Sequence, residues 1–333
     1  MNPRKVISVI GFDYWYGGAP FDKCARARKD KWKGTEDLDF IFFDCIKGVV
    51  SKIQLQKGAF SSEKKDEDAY GDFKKPEKDQ FTFLPNPHDP ARRVGCLKDE
   101  QYNLISAEYI YRYIERIGSG MAEKSILEFN IFSHAYILGP IIYNSDENYF
   151  IDTDFRAKHF SDPGIVNFEK FMNAFHPDGI INIWGCDFEP SVRNFFEYVF
   201  KNSSYKNSGL NSSDILSFQK NEYFSKFVIL VRINIDTDNP GVSVSLASSG
   251  RLEFKHIMTI ALKILKLSFA YSISKQTKRK TFAALPGTGA DYRPDEKGMF
   301  VSLNGINSQI IKFYSEYLKI RLDKEGNNYA DFS

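Results

Sequence analysis

The chain has 333 residues, 42% hydrophobic and 26% charged, which is enough to bury the core of one large domain or two ordinary domains. Its 45 basic and 43 acidic residues give a net charge of +2, which favours neither a nucleic-acid partner nor a membrane surface. The four cysteines are widely separated and form no CxxC pair, which argues against a zinc knuckle and, in a reducing compartment, against disulfides.

No targeting or membrane-spanning segment is predicted. The apolar run near the N-terminus is too short for the core of a signal peptide and has no small-residue cleavage site after it. No uncharged run reaches the length of about 18 residues that a transmembrane helix needs. We therefore expect a cytoplasmic protein, or one exported by a route that leaves no such mark.

The N-terminal part of the chain predicts three strands, an insertion and a helix. Short apolar runs at residues 5–12, 38–44 and 49–55 are typical of buried strands. Residues 56–100 contain a long, highly charged stretch without apolar periodicity, and we expect a charged, mobile insertion there. Residues 106–117 predict a helix, because a serine stands at its start and glycines follow its end.

The middle of the chain predicts a strand–helix–strand unit. The strands are expected at residues 126–132 and 179–184, with a helix at 166–175 between them. Another helix is expected at 191–201, and residues 202–212 are polar and predict an exposed loop. The C-terminal part predicts, in order, a helix at 213–223, a strand at 227–235, a long helix at 252–274, a strand at 281–285 and a helix at 307–322.

This alternation of strands and helices predicts an α/β fold. The expected architecture is a three-layer α/β/α sandwich with a mainly parallel central sheet, formed by residues 1–333 as one domain. Parallel strands of such a sheet end at a common edge, where catalytic and ligand-binding groups gather.

Two reactive residues follow neighbouring predicted strands at that edge. His134 comes just after the strand at 126–132, and Cys186 comes just after the strand at 179–184. A cysteine nucleophile needs a thiolate and a base to take its proton, most often histidine. Cys186 also stands in a sharp strand-to-helix turn, where helix-terminal N–H groups help to lower the pKa of a thiol.

A histidine and then a cysteine at this spacing, each at the end of a strand, resemble the caspase-like cysteine peptidases. This group contains caspases, metacaspases, legumain-like and clostripain-like enzymes. The resemblance implies that His134 is the general base and acid and that Cys186 is the nucleophile of an acyl-enzyme mechanism. It also implies an oxyanion hole made by backbone N–H groups at Cys186 and around Ala135 and Gly185. The substrate would be a peptide or protein, and no cofactor would be required.

Two acidic residues are candidates for the substrate pocket. Asp13 follows the first predicted strand, and Asp291 lies in a glycine-rich loop after the strand at 281–285. If they lie near His134 and Cys186, they would favour a substrate with a basic side chain just before the scissile bond. The hypothesis of a basic P1 residue depends on these two carboxylates.

A metal-dependent hydrolase is the first alternative. Asp152, Asp154 and His159 lie between the two reactive residues, and together with His134 they offer oxygen and imidazole ligands for a divalent metal. Calcium bound there as a regulator of a peptidase would reconcile the two hypotheses.

A catalytically inactive, caspase-like interaction module is the second alternative. It is suggested by the residues around Cys186, because the large Trp184 precedes Gly185 and the acidic Asp187 follows the cysteine. The sequence makes no prediction of the oligomeric state.

Overall fold

The central strands are buried along nearly their whole length, which explains why their sequences are apolar runs rather than alternating patterns. The computed structural model describes residues 3–12, 20–33, 36–69, 71–86, 89–98, 103–120, 122–143, 154–187, 189–293 and 298–333. It is an α/β structure organised around one large mixed sheet.

The strands of the described chain are, in order, β1 (Arg4–Ile10), β2 (Leu38–Asp44), β3 (Val49–Gln56), β4 (Ala59–Phe60), β5 (Lys64–Lys65), β6 (Phe81–Asn86), β7 (Asp89–Leu97), β8 (Ile126–Phe132), β9 (His134–Tyr136), β10 (Gly139–Ile141), β11 (Phe175–Trp184), β12 (Ile215–Ser217), β13 (Arg251–Glu253), β14 (Lys280–Ala283), β15 (Ala290–Arg293), β16 (Gly298–Val301), β17 (Arg321–Leu322) and β18 (Ala330–Asp331). The α-helices are α1 (Phe21–Arg28), α2 (Ala107–Ile117), α3 (Phe168–Ala174), α4 (Pro190–Lys201), α5 (Phe224–Ile235), α6 (Val242–Ser249), α7 (Phe254–Leu267), α8 (Phe269–Thr277) and α9 (Gly305–Tyr317). Short 3-10 helices occupy Lys29–Trp32, Lys78–Gln80 and Ala157–Ser161.

The large sheet has the strand order β17-β18-β14-β11-β8-β1-β2-β3-β4, and β5 also pairs with β3. The five strands from β14 to β2 run parallel to one another. The outer strands on both sides are antiparallel to their neighbours. The prediction of an α/β fold with a mainly parallel centre is therefore confirmed. The parallel arrangement gives β1, β8 and β11 a common carboxyl edge.

Side chains from helices pack on both sides of β8. On one side, Arg28 at the end of α1 pairs with Glu128. On the other side, Phe129 contacts Phe155, which in turn contacts Tyr111 of α2 and Phe269 of α8. The strand is thus fixed from both faces, which holds its carboxyl end in place.

Three predicted elements of the C-terminal part are wrong. Residues 227–235 were expected to be a strand but belong to α5, whose buried side chains recur at helical spacing: Phe224, Phe227, Val231 and Ile235. The predicted helix at 213–223 contains β12, which pairs with β13. The single helix expected at 252–274 is two helices, because Ser268 has an extended backbone and its side chain caps α8 by accepting the N–H of Tyr271 at 3.2 Å.

The insertion is described in part and the polar loop in full. Within 56–100, β4 and β5 extend the sheet, and β6 and β7 form a hairpin that the sequence did not predict. Asp66 in this segment is buried and accepts a hydrogen bond from the Tyr113 hydroxyl at 2.7 Å. Residues 202–212 follow the end of α4, contain no helix and have only exposed or half-buried side chains.

Among the described residues, no single helix has the length and apolar composition needed to cross a bilayer. Helices α7 and α8 together have the length and apolar composition of a span, but the chain bends by 67° between them.

Candidate active site at the carboxyl edge of the sheet

The carboxyl ends of β8 and β11 lie side by side. Phe132, the last residue of β8, is in register with Trp184, the last residue of β11. The chain then continues into Gly185, where a Cβ atom would collide with the Ser133 carbonyl oxygen and lie 3.2 Å from the Ala135 Cβ. Only glycine fits this close approach, so the segment before Cys186 is pressed against the segment around His134.

Cys186 is half-buried, and its thiol is held against the neighbouring segment. The Sγ atom donates a hydrogen bond to the Ala135 carbonyl oxygen at 3.3 Å. Ala135 lies in the middle of β9, which pairs antiparallel with β10. The structure therefore brings the predicted nucleophile into direct contact with the residue that follows the predicted base.

His134 is the first residue of β9 and pairs with Ile141 of β10. Its ring meets the ring of Phe21 edge-on, with centroids 5.2 Å apart and an angle of 83° between the planes. The Ser133 hydroxyl donates to the His134 carbonyl oxygen at 2.9 Å. Strand pairing fixes the backbone and the first residue of α1 fixes the ring, so the histidine is positioned before any ligand binds.

The loop that follows Cys186 is joined to the glycine-rich loop after β14. The Asp187 N–H donates to the Thr288 carbonyl oxygen at 3.1 Å, and the Gly287 N–H donates to the Asp187 carbonyl oxygen at 2.8 Å. Asn307 of α9 holds both the N–H and the carbonyl of Gly289, at 3.4 and 3.2 Å. The glycine-rich loop is apparent in the sequence, but the roles of Thr288 and Asn307 are not, because they depend on contacts between distant segments.

Of the two pocket carboxylates predicted from the sequence, the structure describes Asp291. Asp291 is exposed and lies on β15 opposite Phe300 of β16. The preceding residue of β16, Met299, is buried against the α1 side, so alternation turns the side chains of Phe300 and Asp291 the other way. Asp13 lies outside the described residues.

The loop predicted as a metal site has a different arrangement where it is described. The buried Asp154 Oδ1 accepts the N–H groups of Ile142 and Tyr143 at 2.5 and 2.9 Å. Its other oxygen pairs with Arg156 at 3.5 Å. In the described part of the chain, no group of three or more His, Cys, Asp and Glu side chains is arranged to hold a metal ion. Asp152 lies outside that part.

A buried polar network lies beneath the site. The carboxylate of Glu128 on β8 receives Arg28 and Lys31, and the same two cations also bind Glu325. The Asn130 side-chain oxygen accepts the amide of Asn182 at 2.8 Å and the indole N–H of Trp184 at 2.9 Å. The sequence signal was the presence of glutamate and asparagine inside otherwise apolar strands.

This network shifts the pKa of both carboxylates. Burial would raise the pKa of Glu128, but the charge and hydrogen bonds of Arg28, followed by Lys31, hold it below its usual range. Burial likewise opposes ionisation of Glu325, and the same two cations lower its pKa to about 2. The cations of this region are therefore already matched by two ionised carboxylates.

Two other cysteines offer an internal comparison with Cys186. Cys24 and Cys45 are buried. Burial, and then the charge of Asp22, raises the pKa of the Cys24 thiol to about 12. Burial also raises the pKa of the Cys45 thiol. Of these three thiols, the half-buried Cys186 is the most accessible to a reagent.

Comparison with known proteins found no matching family model, no similar curated protein and no similar solved structure. The structural evidence on function lies in the site itself, at the ends of β8 and β11.

Proposed function

We propose that the protein is a cysteine hydrolase of the caspase-like kind that cleaves a peptide or protein substrate, with Cys186 as nucleophile and His134 as general base and acid. The observation that carries the proposal is that the neighbouring parallel strands β8 and β11 lead directly into these two residues. In the caspase-like peptidases the histidine also ends one strand and the cysteine ends the next.

The mechanism would proceed through an acyl-enzyme. In the resting state the Cys186 thiol donates its hydrogen to the Ala135 carbonyl. Transfer of that proton to His134 gives a thiolate, which attacks the scissile carbonyl carbon. His134 then gives the proton to the leaving amine as the C–N bond breaks. Water, deprotonated by His134, attacks the thioester and releases the acid and the free thiol.

The negative oxygen of the tetrahedral intermediate needs N–H donors close to Cys186. The Cys186 N–H is one candidate, and the segment around Ala135 and Gly185 lies beside it. The joined loops at Asp187 and Thr288 hold this backbone in place. Preorganised donors of this kind contribute most when they need no rearrangement during the reaction.

The proposal is tested by the rate at which iodoacetamide alkylates each cysteine. Cys186 is expected to react faster than Cys24 and Cys45, because burial holds both of those thiols protonated. His134→Ala should slow the labelling of Cys186 by at least about tenfold, since it removes the base. His176→Ala is the matched control, because His176 lies near the start of β11 at the opposite edge of the sheet.

Cleavage of a peptide library should disappear in Cys186→Ala and survive in His176→Ala. Equal labelling rates for the three cysteines would contradict the proposal. If Cys186 labels slowly, no peptide is cleaved and a protein partner co-purifies, the non-catalytic interaction module is the better explanation.

A further inference from the structure

A cavity of about 180 Å³ lies on the α1 side of the sheet, at the ends of the two strands that lead to the proposed dyad. Phe132 and Trp184 form its floor, with nearly parallel rings whose centroids are 5.8 Å apart. Cys24 and Ala27 of α1 and Met299 of β16 contribute walls. A cavity of about 150 Å³ with apolar walls is large enough to bind benzene, so this one has room for an aromatic side chain.

The cavity and the proposed dyad are both formed at the ends of β8 and β11. Its floor residues are the last residues of β8 and β11, each two positions before His134 and Cys186. Phe21, which packs against the His134 ring, lies on the same helix as the cavity wall.

Tyr329 packs against the floor of the cavity. Its ring meets the Trp184 ring edge-on at 5.2 Å. Burial, followed by the nearby thiols of Cys186 and Cys24, raises the pKa of its phenol. Tyr329 therefore packs against one of the two rings at the floor of the cavity.

The charges at the cavity are balanced. Arg28 and Lys31 line it, but Glu128 and Glu325 already bind both cations. The Arg28 guanidinium lies 4.9 Å from the centre of the Trp184 ring. An acidic side chain that entered the cavity would find both cations already paired with carboxylates. A basic side chain would lie near those cations, and no carboxylate is among the described lining residues to pair with it.

We propose that this cavity binds a large neutral side chain of the substrate, preferably an aromatic one, next to the scissile bond. The proposal rests on the hydrolase function given above and names the substrate class of that site. It differs from the basic preference predicted from Asp13 and Asp291, since Asp291 is turned away from the cavity and Asp13 lies outside the described residues.

Two measurements test the cavity separately from catalysis. The first is the binding of N-acetylphenylalaninamide to the Cys186→Ala protein, followed by NMR and compared with N-acetyllysinamide. The phenylalanine derivative should bind more tightly, and Ala27→Leu should weaken its binding by about tenfold or more, because the three extra carbon atoms fill the space that the ring needs. Ala247→Leu, at an exposed position of α6, is the matched control.

The second measurement is the cleavage of fluorogenic peptides that differ only in the residue before the scissile bond. Phenylalanine should be preferred over lysine and aspartate in wild type, and Ala27→Leu should shift the preference toward small residues. Preferred cleavage after lysine, or an unchanged preference in Ala27→Leu, would overturn the proposal. If the amide binds and Ala27→Leu weakens it while no peptide is cleaved, the hydrolase function fails but the cavity still binds a neutral aromatic side chain.

Discussion

Arg28 and Glu128 form a bidentate ion pair that joins α1 to the centre of the sheet. The Arg28 Nε and Nη2 atoms donate to the two oxygens of the Glu128 carboxylate at 3.0 and 2.9 Å. The Glu128 side chain is only 1% exposed, so the pair is shielded from water. Glu128 comes four residues before the end of β8, and Arg28 covers Trp184 at the end of β11. The pair therefore supports both strands that lead to the candidate site.

Removal of one partner of this pair should destabilise the fold. Arg28→Met leaves the buried Glu128 charge with only Lys31 as a cationic partner, and breaking a buried pair in this way costs about 3–5 kcal/mol. Urea unfolding of the variant and wild type measures the loss. Arg4→Met, which breaks the exposed pair with Glu36, should cost no more than about 1 kcal/mol. Equal losses in the two variants would contradict the structural role given to Arg28.

The same network predicts acid sensitivity. Because the folded state lowers the pKa of Glu128 and Glu325, it binds fewer protons than the unfolded chain in acid. Their contribution to stability is present above the unfolded value of 4.5 and is lost as the pH falls toward about 2, the folded value for Glu325. Urea unfolding midpoints between pH 6 and pH 3 should fall in wild type. The midpoints should fall less steeply with pH in Arg28→Met. An equally steep fall in the variant and in wild type would contradict the role of Arg28 in lowering these two pKa values.

The sequence predicted the strands at the site because strands buried on both faces are short apolar runs. Those at Ile126–Phe132 and at the end of β11 were recognised in this way, and the shared edge followed from the parallel arrangement. The polar residues inside the runs were not given a role. Asn130 and Glu128 find their partners on β11 and α1, and only the folded structure brings those segments together.

Two of the errors in the C-terminal part arise where the apolar pattern is compatible with more than one structure. Residues 227–235 are apolar on nearly all sides, and such a run is ambiguous between a buried strand and a helix. In the structure Ile229 and Ile233 are exposed on α5, which a strand in the core of the sheet would not allow. The break at Ser268 was missed because the apolar spacing continues across it, although serine is a favoured N-cap residue.

Gly185 lies where the segments that carry His134 and Cys186 approach each other closely. In Gly185→Ala the new methyl group would collide with the Ser133 carbonyl oxygen, so the backbone before Cys186 must move. We expect a loss of about 1–3 kcal/mol in stability and slower alkylation of Cys186, measured on the same samples. Gly289→Ala is the matched control, because a Cβ at Gly289 meets nothing within 4 Å. Similar labelling rates in the two variants would show that the close approach is not needed for thiol reactivity.

Asp154 distinguishes a structural carboxylate from a metal ligand. Asp154→Ala would leave the N–H groups of Ile142 and Tyr143 without this acceptor and the buried Arg156 without its carboxylate, so we expect a loss of about 2–5 kcal/mol. Asp154→Asn keeps an acceptor oxygen and should lose less. Asp162→Asn, at an exposed carboxylate that caps the Gly164 N–H, should change little.

The metal hypothesis makes a different prediction for the same proteins. If Asp154 bound a metal, chelation with EDTA would lower the melting temperature and abolish peptide cleavage by wild type, and Asp154→Asn would remove that sensitivity. We expect instead that EDTA leaves the melting temperature and the Cys186-dependent cleavage unchanged, because Asp154 already accepts two backbone hydrogen bonds and pairs with Arg156. Loss of activity on chelation, with restoration by added calcium and no EDTA sensitivity in Asp154→Asn, would support the metal-dependent alternative.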